Sequence, residues 1–534
     1  MAVQEKVQEK LDEKVDVAIV GAGASASVFA SVLARAGKKV VMLEQGPDWQ
    51  NGDLISSEIW GRRLKTVNPA ILEGKDRLGY SYNAGWGSGG AATHYFAMFP
   101  RLLPSDFNMK STHGRGLDWP FSYDDLAPYY DRVAQDIGVS GDAKAEERWR
   151  PPGQPYPMPP IKSFRHGDVW IKGFEALGMK TARATVAINS QDYKGRPACV
   201  YDGWCNAGCP IGALANPAFT YLDEARKHGA EVRPFSTVTR VLTNEKGDRV
   251  TGIEYYDRAK QRQVLEADVV ILAAFVAQNP RILLNSATDK HPQGLANANG
   301  LVGRYVMAHT GATIWGMFDE PDIQNYMGVL AAMHWSYDRY DKTARPGAFG
   351  SILWHCSPAI KPNDIGGIAN SRNDLFGQPL IDFIKRGSRQ LSRLQAFGEE
   401  LPKPDNRVVL ATEKDEFGFP LPRINHAYDA DAVGVWQQAC DEGLTIAKAA
   451  GATESWALRA APPTIHMVGG TAMGRSAADS VTNGYGQTHE IPNLWIAGVT
   501  LFPTEGAVNP TYTMYAQSLR GAEHLAANWN TIAG

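Results

Sequence analysis

The chain has no long apolar run. Nowhere in its 534 residues do about 18 apolar side chains follow one another, so no membrane-spanning helix is expected. Its opening stretch, MAVQEKVQEKLDEK, alternates charges and lacks the apolar centre of a secretory signal. Read from this chain alone the expected compartment is the cytoplasm, and the alternative is the periplasm, reached by co-export with a signal-bearing subunit. Surplus charge is also missing: the formal net charge of -3 argues against nucleic acid or an anionic membrane as the main partner. A small, neutral or weakly charged substrate fits better. Cysteine is scarce. The five present are too few and too clustered for a disulfide framework, and three of them, Cys199, Cys205 and Cys209, require an explanation of their own. There is no internal repeat and no low-complexity block.

What is present is an ordinary globular composition, 44% apolar and 21% charged, in a chain long enough for more than one core. The segment VDVAIVGAG (15–23) is a β-branched run ending in glycines. SASVFASVLARAGK follows with helical spacing, and KVVMLEQG (39–46) is a second buried strand. The expected unit is βαβ with a parallel sheet. Gly21-Ala22-Gly23-Ala24-Ser25-Ala26 has the G-x-G-x-x-G/A form at the strand-to-helix turn, and Glu44 ends the next strand. Gly21 permits the tight turn, Gly23 lets a pyrophosphate approach the backbone, and Ala26 lets the helix pack on the sheet with its N-terminus facing the phosphates. Glu44, followed by Gln45, is placed to accept from a ribose hydroxyl.

That motif serves NAD and FAD alike. A second glycine run, Gly85-Trp86-Gly87-Ser88-Gly89-Gly90, suits a larger ligand held along its length. Residues 232–274 read as a three-stranded meander whose last strand is wholly apolar, NLWIAGV (493–499) as another buried strand, and 509–528 as a helix opening at Asn509-Pro510. A proline-rich stretch, RPPGQPYPMPPI (150–161), should be extended.

The block His466-Met467-Val468-Gly469-Gly470-Thr471-Ala472-Met473-Gly474 and the run NLWIAGVTLFPTEGAVNPTYTMYAQSLRGAEHL (493–525), together with the two glycine runs, resemble the glucose-methanol-choline (GMC) family of flavoprotein oxidoreductases. The segment GRPACVYDGWCNAGCPIGALANP (195–217) and the run LVGRYVMAHTG (301–311) are most similar to its sugar dehydrogenase branch, the large FAD subunits of fructose, glucose, glucoside and gluconate dehydrogenases. Gly89-Gly90-Ala91-Ala92-Thr93-His94-Tyr95 is similar to the pyranose oxidase segment in which a Thr-His pair lies against the flavin and the histidine can be attached to it. Three positions depart from the family. Gly470 stands where many members have threonine, Phe275 replaces a glycine after VVILAA, and Ala308 replaces an aspartate before His309. The last leaves His309 with a structural role.

The resemblance implies an α/β fold: an FAD-binding Rossmann-like domain with parallel sheet and meander (14–105, 211–312 and 456–534) and a substrate domain on an antiparallel sheet (106–210 and 313–455). It implies FAD as cofactor and His466 and Asn509 as catalytic residues at the reactive edge of the flavin. Cofactor contacts are expected from Gly21, Gly23, Ala24, Ser25, Glu44, Gln45, Gly87, Gly89, Gly90, Thr93, His94, Val238, Ala273, Gly498, Val499, Asn509, Pro510 and Thr511. Hydride departure from a carbinol carbon is helped if an imidazole takes the hydroxyl proton, while Asn509 holds the oxygen without competing for that proton. Cys199, Cys205 and Cys209 form C-x5-C-x3-C before a proline, a pattern open to buried free thiols or an iron–sulfur cluster. The resemblance implies a 3Fe-4S cluster, a small subunit and a cytochrome c as electron acceptor. The expected reaction is oxidation of a CH–OH group of a sugar, glycoside or polyol. The alternatives are an oxygen-using oxidase like pyranose oxidase and, from another class, a flavin-dependent hydroxynitrile-type lyase.

Overall fold

The computed structural model describes residues 14–356 and 358–534; the charged N-terminal stretch lies, through residue 13, outside them. Among the described residues no helix is long and apolar enough to cross a membrane.

The architecture is α/β. Lys14–Val20 pairs in parallel with Val40–Leu43 on one side and with Arg262–Leu272 on the other. Arg262–Leu272 changes partners along its length. Residues up to Glu266 pair antiparallel with Val250–Tyr256, which in turn pairs with Thr237–Thr243, whereas residues from Glu266 onward join the parallel sheet. Its end carries no polar side chain from Val269 to Leu272, and all four are fully buried, as a strand covered on both faces requires. Leu494–Ile496 adds in parallel to that same end, so the C-terminal part of the chain returns to the first sheet. Helix Ala24–Arg35 packs against this sheet and against helix Thr511–Ala527.

The stretch expected as the first strand of the meander is two strands. Glu231–Arg233 lies in parallel on the edge of Val40–Leu43, and Thr237–Thr243 begins the meander. Pro234, which has no N–H to donate, and Phe235, whose φ is 53°, turn the chain between them. The segment 106–210 contributes to the same core as the parallel sheet. Its helix Tyr123–Ile137 lies against Thr511–Ala527, where the Tyr512 hydroxyl donates to the Tyr130 carbonyl at 2.7 Å.

The second large sheet is antiparallel. Met307–Met317, Leu391–Gly398, Ile352–Cys356 and His334–Arg339 lie side by side in that order. Helix Ala430–Ala449 covers it through a core that includes Trp170, Trp354, Val435 and Ile446. The pairing sets His355 directly opposite Gln395. The strand Ile465–Val468 pairs with the beginning of Met307–Met317, which brings the C-terminal histidine block to the junction of the two sheets.

Candidate active site

One cavity of about 340 Å³ runs from the first βαβ turn to the second sheet, a size in the range of ligand pockets. Sixteen of the residues singled out from the sequence line it: Gly21, Gly23, Ala24, Ser25, Glu44, Gln45, Gly90, His94, Val238, Ala273, His466, Gly498, Val499, Asn509, Pro510 and Thr511. Gly87, Gly89 and Thr93 do not. They stand one layer behind, where Gly87 donates its N–H to Glu44 Oε1 at 3.2 Å, Gly89 to the Ala22 carbonyl at 2.7 Å, and Thr93 its hydroxyl to the Gly90 carbonyl at 2.7 Å.

The two glycine runs are thus a single device: the second folds onto the first, with Gly89 bridged to Gly23. Gly21 has φ of 95°, and a Cβ there would stand 2.8 Å from the Ala273 carbonyl oxygen, so geometry and space both demand glycine. Helix Ala24–Arg35 begins at Gly23 with no side chain capping it, which leaves its first N–H groups for an anion. Glu44 is buried, which raises its pKa, but the N–H groups of Gly46, Ala22 and Gly87 oppose the shift at 2.9, 3.0 and 3.2 Å. These three bonds leave one lone pair, on Oε2, open to a further donor such as a ribose hydroxyl.

At the other end, Asn509 directs its Nδ2 at His466 Nε2, 3.0 Å away. An amide N–H aimed at that nitrogen makes Nε2 the unprotonated one. The local backbone is unusual: His466 has φ of 61° in a strand whose pairing slips between Ile465 and Val468. Its N–H is held by the Asn83 side-chain oxygen at 2.9 Å. Non-glycine residues at positive φ concentrate where a site needs them. Burial, and after it the neighbouring His309 and His355, push the His466 pKa well below the ordinary histidine value, so the ring is a neutral base. His94 is likewise held neutral, its pKa lowered by burial to about 4.

The cavity suits FAD on its polar atoms. His94 Nε2, His466 Nδ1 and Asn509 Oδ1 are buried without a protein partner, and all three residues line the cavity. Buried polar atoms are rarely left so unless a ligand or water completes them.

Sequence reading missed several participants. His355, Gln395 and Phe397 line the cavity from the second sheet. Their strands read as ordinary buried runs, and only the cross-strand register brings them to the site. Phe397 is surrounded by histidines, with ring centroids 4.6 Å from His355, 4.8 Å from His466 and 6.1 Å from His309. His309 lies behind His466, edge to face at 5.3 Å. Phe275 lines the cavity at φ of 73°, which explains why a glycine was expected there.

Cys199, Cys205 and Cys209 each accept one backbone N–H, from Tyr201 at 3.3 Å, Leu330 at 3.4 Å and Leu214 at 3.4 Å. Burial raises all three thiols, Cys199 to about 12, and each of Cys199 and Cys205 is also affected by the charge of its neighbours in the group. Among the described residues no group of three or more His, Cys, Asp or Glu is gathered as a metal-holding set.

Comparison with known proteins is decisive for the family. The GMC oxidoreductase models match residues 81–311 and 402–518, and a NAD(P)-binding Rossmann-like model matches 19–79. The fructose dehydrogenase large subunit of Gluconobacter japonicus is 32% identical over 528 residues, covering 92% of this chain and 94% of the relative. The chain belongs to the GMC oxidoreductase family. A second relative, the 2-methyl-1,2-propanediol dehydrogenase of Mycolicibacterium austroafricanum, is 31% identical over 83% of this chain and 81% of its own length. Among solved structures, a pyridoxine 4-oxidase from Mesorbium loti matches with a TM-score of 0.68 at 16% identity, covering 96% of this chain and 99% of that one, a likeness of fold. This GMC chain is an FAD-dependent oxidoreductase.

Proposed function

We propose that this enzyme oxidises a CH–OH group of a sugar, glycoside or polyol, with His466 as the base and Asn509 as its partner. The observation that carries the reading is the Asn509 Nδ2 to His466 Nε2 approach of 3.0 Å in the lining of the cavity. A substrate hydroxyl that displaces this contact would accept from Asn509 Nδ2 and present its proton to Nε2, the unprotonated ring nitrogen. The flavin, when bound, supplies the hydride acceptor. The protein's part is to hold the hydroxyl, take its proton and exclude water from a site in which Asn509 is buried and His466 half-buried. Helix Thr511–Ala527 begins two residues after Asn509, and its N-terminus favours negative charge that develops nearby. The relatives support the substrate class, one being named for fructose and the other for 2-methyl-1,2-propanediol.

His466→Ala tests the assignment: turnover should fall roughly 100-fold or more with FAD retained, and full activity in that variant would refute it. Anaerobic bleaching of the flavin by sugars, polyols and alkyl alcohols identifies the substrate, and catalysis without bleaching would mark a lyase instead.

The cofactor contacts assigned to Gly21, Gly23, Ala24, Ser25, Glu44, Gln45, Gly90 and the other cavity residues belong to the same reading. His94 is assigned to flavin contact on the strength of its unpartnered Nε2; a covalent link at His94 would keep the yellow colour with acid-precipitated protein. A 3Fe-4S cluster on Cys199, Cys205 and Cys209 is the second part of the proposal. It rests on the spacing and on one N–H donated to each sulfur, and assembly would have to draw the sulfurs together around iron. With it go a small subunit, a cytochrome c as acceptor, and a periplasmic site by co-export; without it, a cytoplasmic enzyme passing electrons to oxygen or a quinone. Iron determination on the purified holoenzyme, with measurement of hydrogen peroxide, separates the two.

A further inference from the structure

On the second sheet, the antiparallel pairing sets Trp335, His355, Gln395 and Thr313 side by side across four strands. Paired residues leave a sheet on the same face, and so does every second residue along a strand. Phe397, two residues after Gln395, therefore shares that face. It is the face toward the cavity, because His355, Gln395 and Phe397 all line it. A histidine and a glutamine directly opposite each other stand out there. The other side chains given to the cavity by these strands and the segments next to them, Leu330, Ala332, Pro358 and Phe397, are apolar.

Neither polar group is engaged by the fold. His355 is buried, and its Nε2 has no hydrogen-bond partner. The Gln395 side chain is half-buried and makes no hydrogen bond among the described residues. An open polar atom in such a place is destabilising, and an apolar residue at either position would avoid that cost. The contact His355 does make is with an apolar ring: Phe397 meets it edge to face at 4.6 Å, and meets His466 in the same way at 4.8 Å. One ring thus holds His355 in the neighbourhood of the proposed base, with no hydrogen bond between the two imidazoles.

The chemistry of the pair fits a hydroxyl. A neutral imidazole offers one donor and one acceptor, and an amide offers both. A hydroxyl both donates and accepts, so whichever ring nitrogen of His355 carries the proton, Gln395 supplies the complementary contact. Burial, and after it His309 and Arg393, lower the His355 pKa to about 3, so the ring is neutral. Arg393 lies over the Trp315 ring, 5.7 Å from its centroid, and does not line the cavity. A carboxylate or ammonium substituent would therefore meet two neutral groups and no counter-ion on this face.

We propose that His355 and Gln395 bind a second hydroxyl of the molecule whose first hydroxyl meets His466 and Asn509, so that the enzyme selects polyols and sugars over monohydric alcohols. The inference rests on the assignment of His466 and Asn509. A monohydric alcohol leaves both groups open, and a site built to bond a hydroxyl discriminates strongly against the analogue that lacks it. His355 and Gln395 are specificity-determining residues and take no part in proton transfer.

The FAD-loaded enzyme is tested with D-fructose and with two matched pairs, 1,2-propanediol against 1-propanol and trans-1,2-cyclohexanediol against cyclohexanol. The readout is the second-order rate constant of anaerobic flavin reduction. Within each pair the diol should lead by about 100-fold. His355→Leu and Gln395→Leu should each cut that ratio about 10-fold or more. His355→Gln keeps a donor and an acceptor and should retain more of the ratio than His355→Leu. Equal rate constants for diol and monohydric alcohol in the wild type, or a diol preference that survives both Leu variants, would overturn the proposal. If His355→Leu fails to fold, Gln395→Leu at its half-buried position still decides. Binding is read apart from turnover, by calorimetry of D-fructose on FAD-loaded His466→Ala. Adding Gln395→Leu should weaken that affinity about 10-fold, and unchanged affinity would count against the second site. Failure of the underlying reading looks different: His466→Ala would reduce its flavin at the full rate, with the diol preference and its loss in the Leu variants intact.

Discussion

The two ends of the cavity are built from different material. At the cofactor end the working groups are backbone N–H donors, arranged by glycine turns and a helix start, and the one buried carboxylate, Glu44, is satisfied by three of them. At the end lined by His466 and Asn509 the polar groups are imidazoles and amides from separated parts of the chain, several with polar atoms left open. The first end is made for a constant ligand, because backbone geometry cannot be altered without changing the fold. The second is made of side chains on a sheet, which can be exchanged one at a time.

The largest effect that would break this contrast is at Gly21. Gly21→Val should abolish FAD binding, because the side chain meets the Ala273 carbonyl and the backbone conformation is denied to a β-branched residue; flavin absorbance after gel filtration checks it, and a yellow Val variant would contradict the account. Next is Asn509→Ala, expected to lower kcat about 100-fold with FAD bound, since it removes the donor to the substrate oxygen. A smaller and purely electrostatic test is the acid limb of kcat/KM. The proposed base, His466, would work unprotonated, and its pKa is depressed, so activity should persist below about pH 6.5, the ordinary histidine value, and fall only at lower pH. A limb at or above the ordinary value would mean that the site is wetter or more negative than its packing indicates. The smallest effect is at Phe275, held at φ of 73°. Phe275→Val should lower thermal stability by roughly 1–2 kcal/mol, while Phe275→Gly should cost less than the Val variant because relief of strain offsets the lost contacts.

The same contrast governs how much could be read in advance. Gly21, Gly23 and Glu44 were legible because a turn, a close approach and a strand end impose residue types at fixed spacing, and the parallel sheet follows from two apolar runs around a helix. His466 and Asn509 were legible only through their resemblance to family blocks, being 43 residues apart. His355 and Gln395 were not legible, because their meeting depends on the register of two strands that either neighbour could have shifted. His309 was given a structural role for want of an acid at 308, but its acidic neighbours come from other segments: Glu400 binds the Ala308 N–H, and Glu505 faces the ring. The break at Pro234-Phe235 was visible as a proline, yet it needed the parallel edge pairing of Glu231–Arg233 to become a separate strand.

The bond from the His466 N–H to Asn83 has an evolutionary consequence. Asn83 belongs to the short helix Tyr80–Asn83, just ahead of the second glycine run, so the main chain of the proposed base is moored to the segment that leads into that run. The sheet that bears His355 and Gln395 can then accept new side chains while the main chain at His466 stays tied to the glycine-rich segment. Relatives named for a sugar and for a small diol are what such a division of labour allows a lineage to produce.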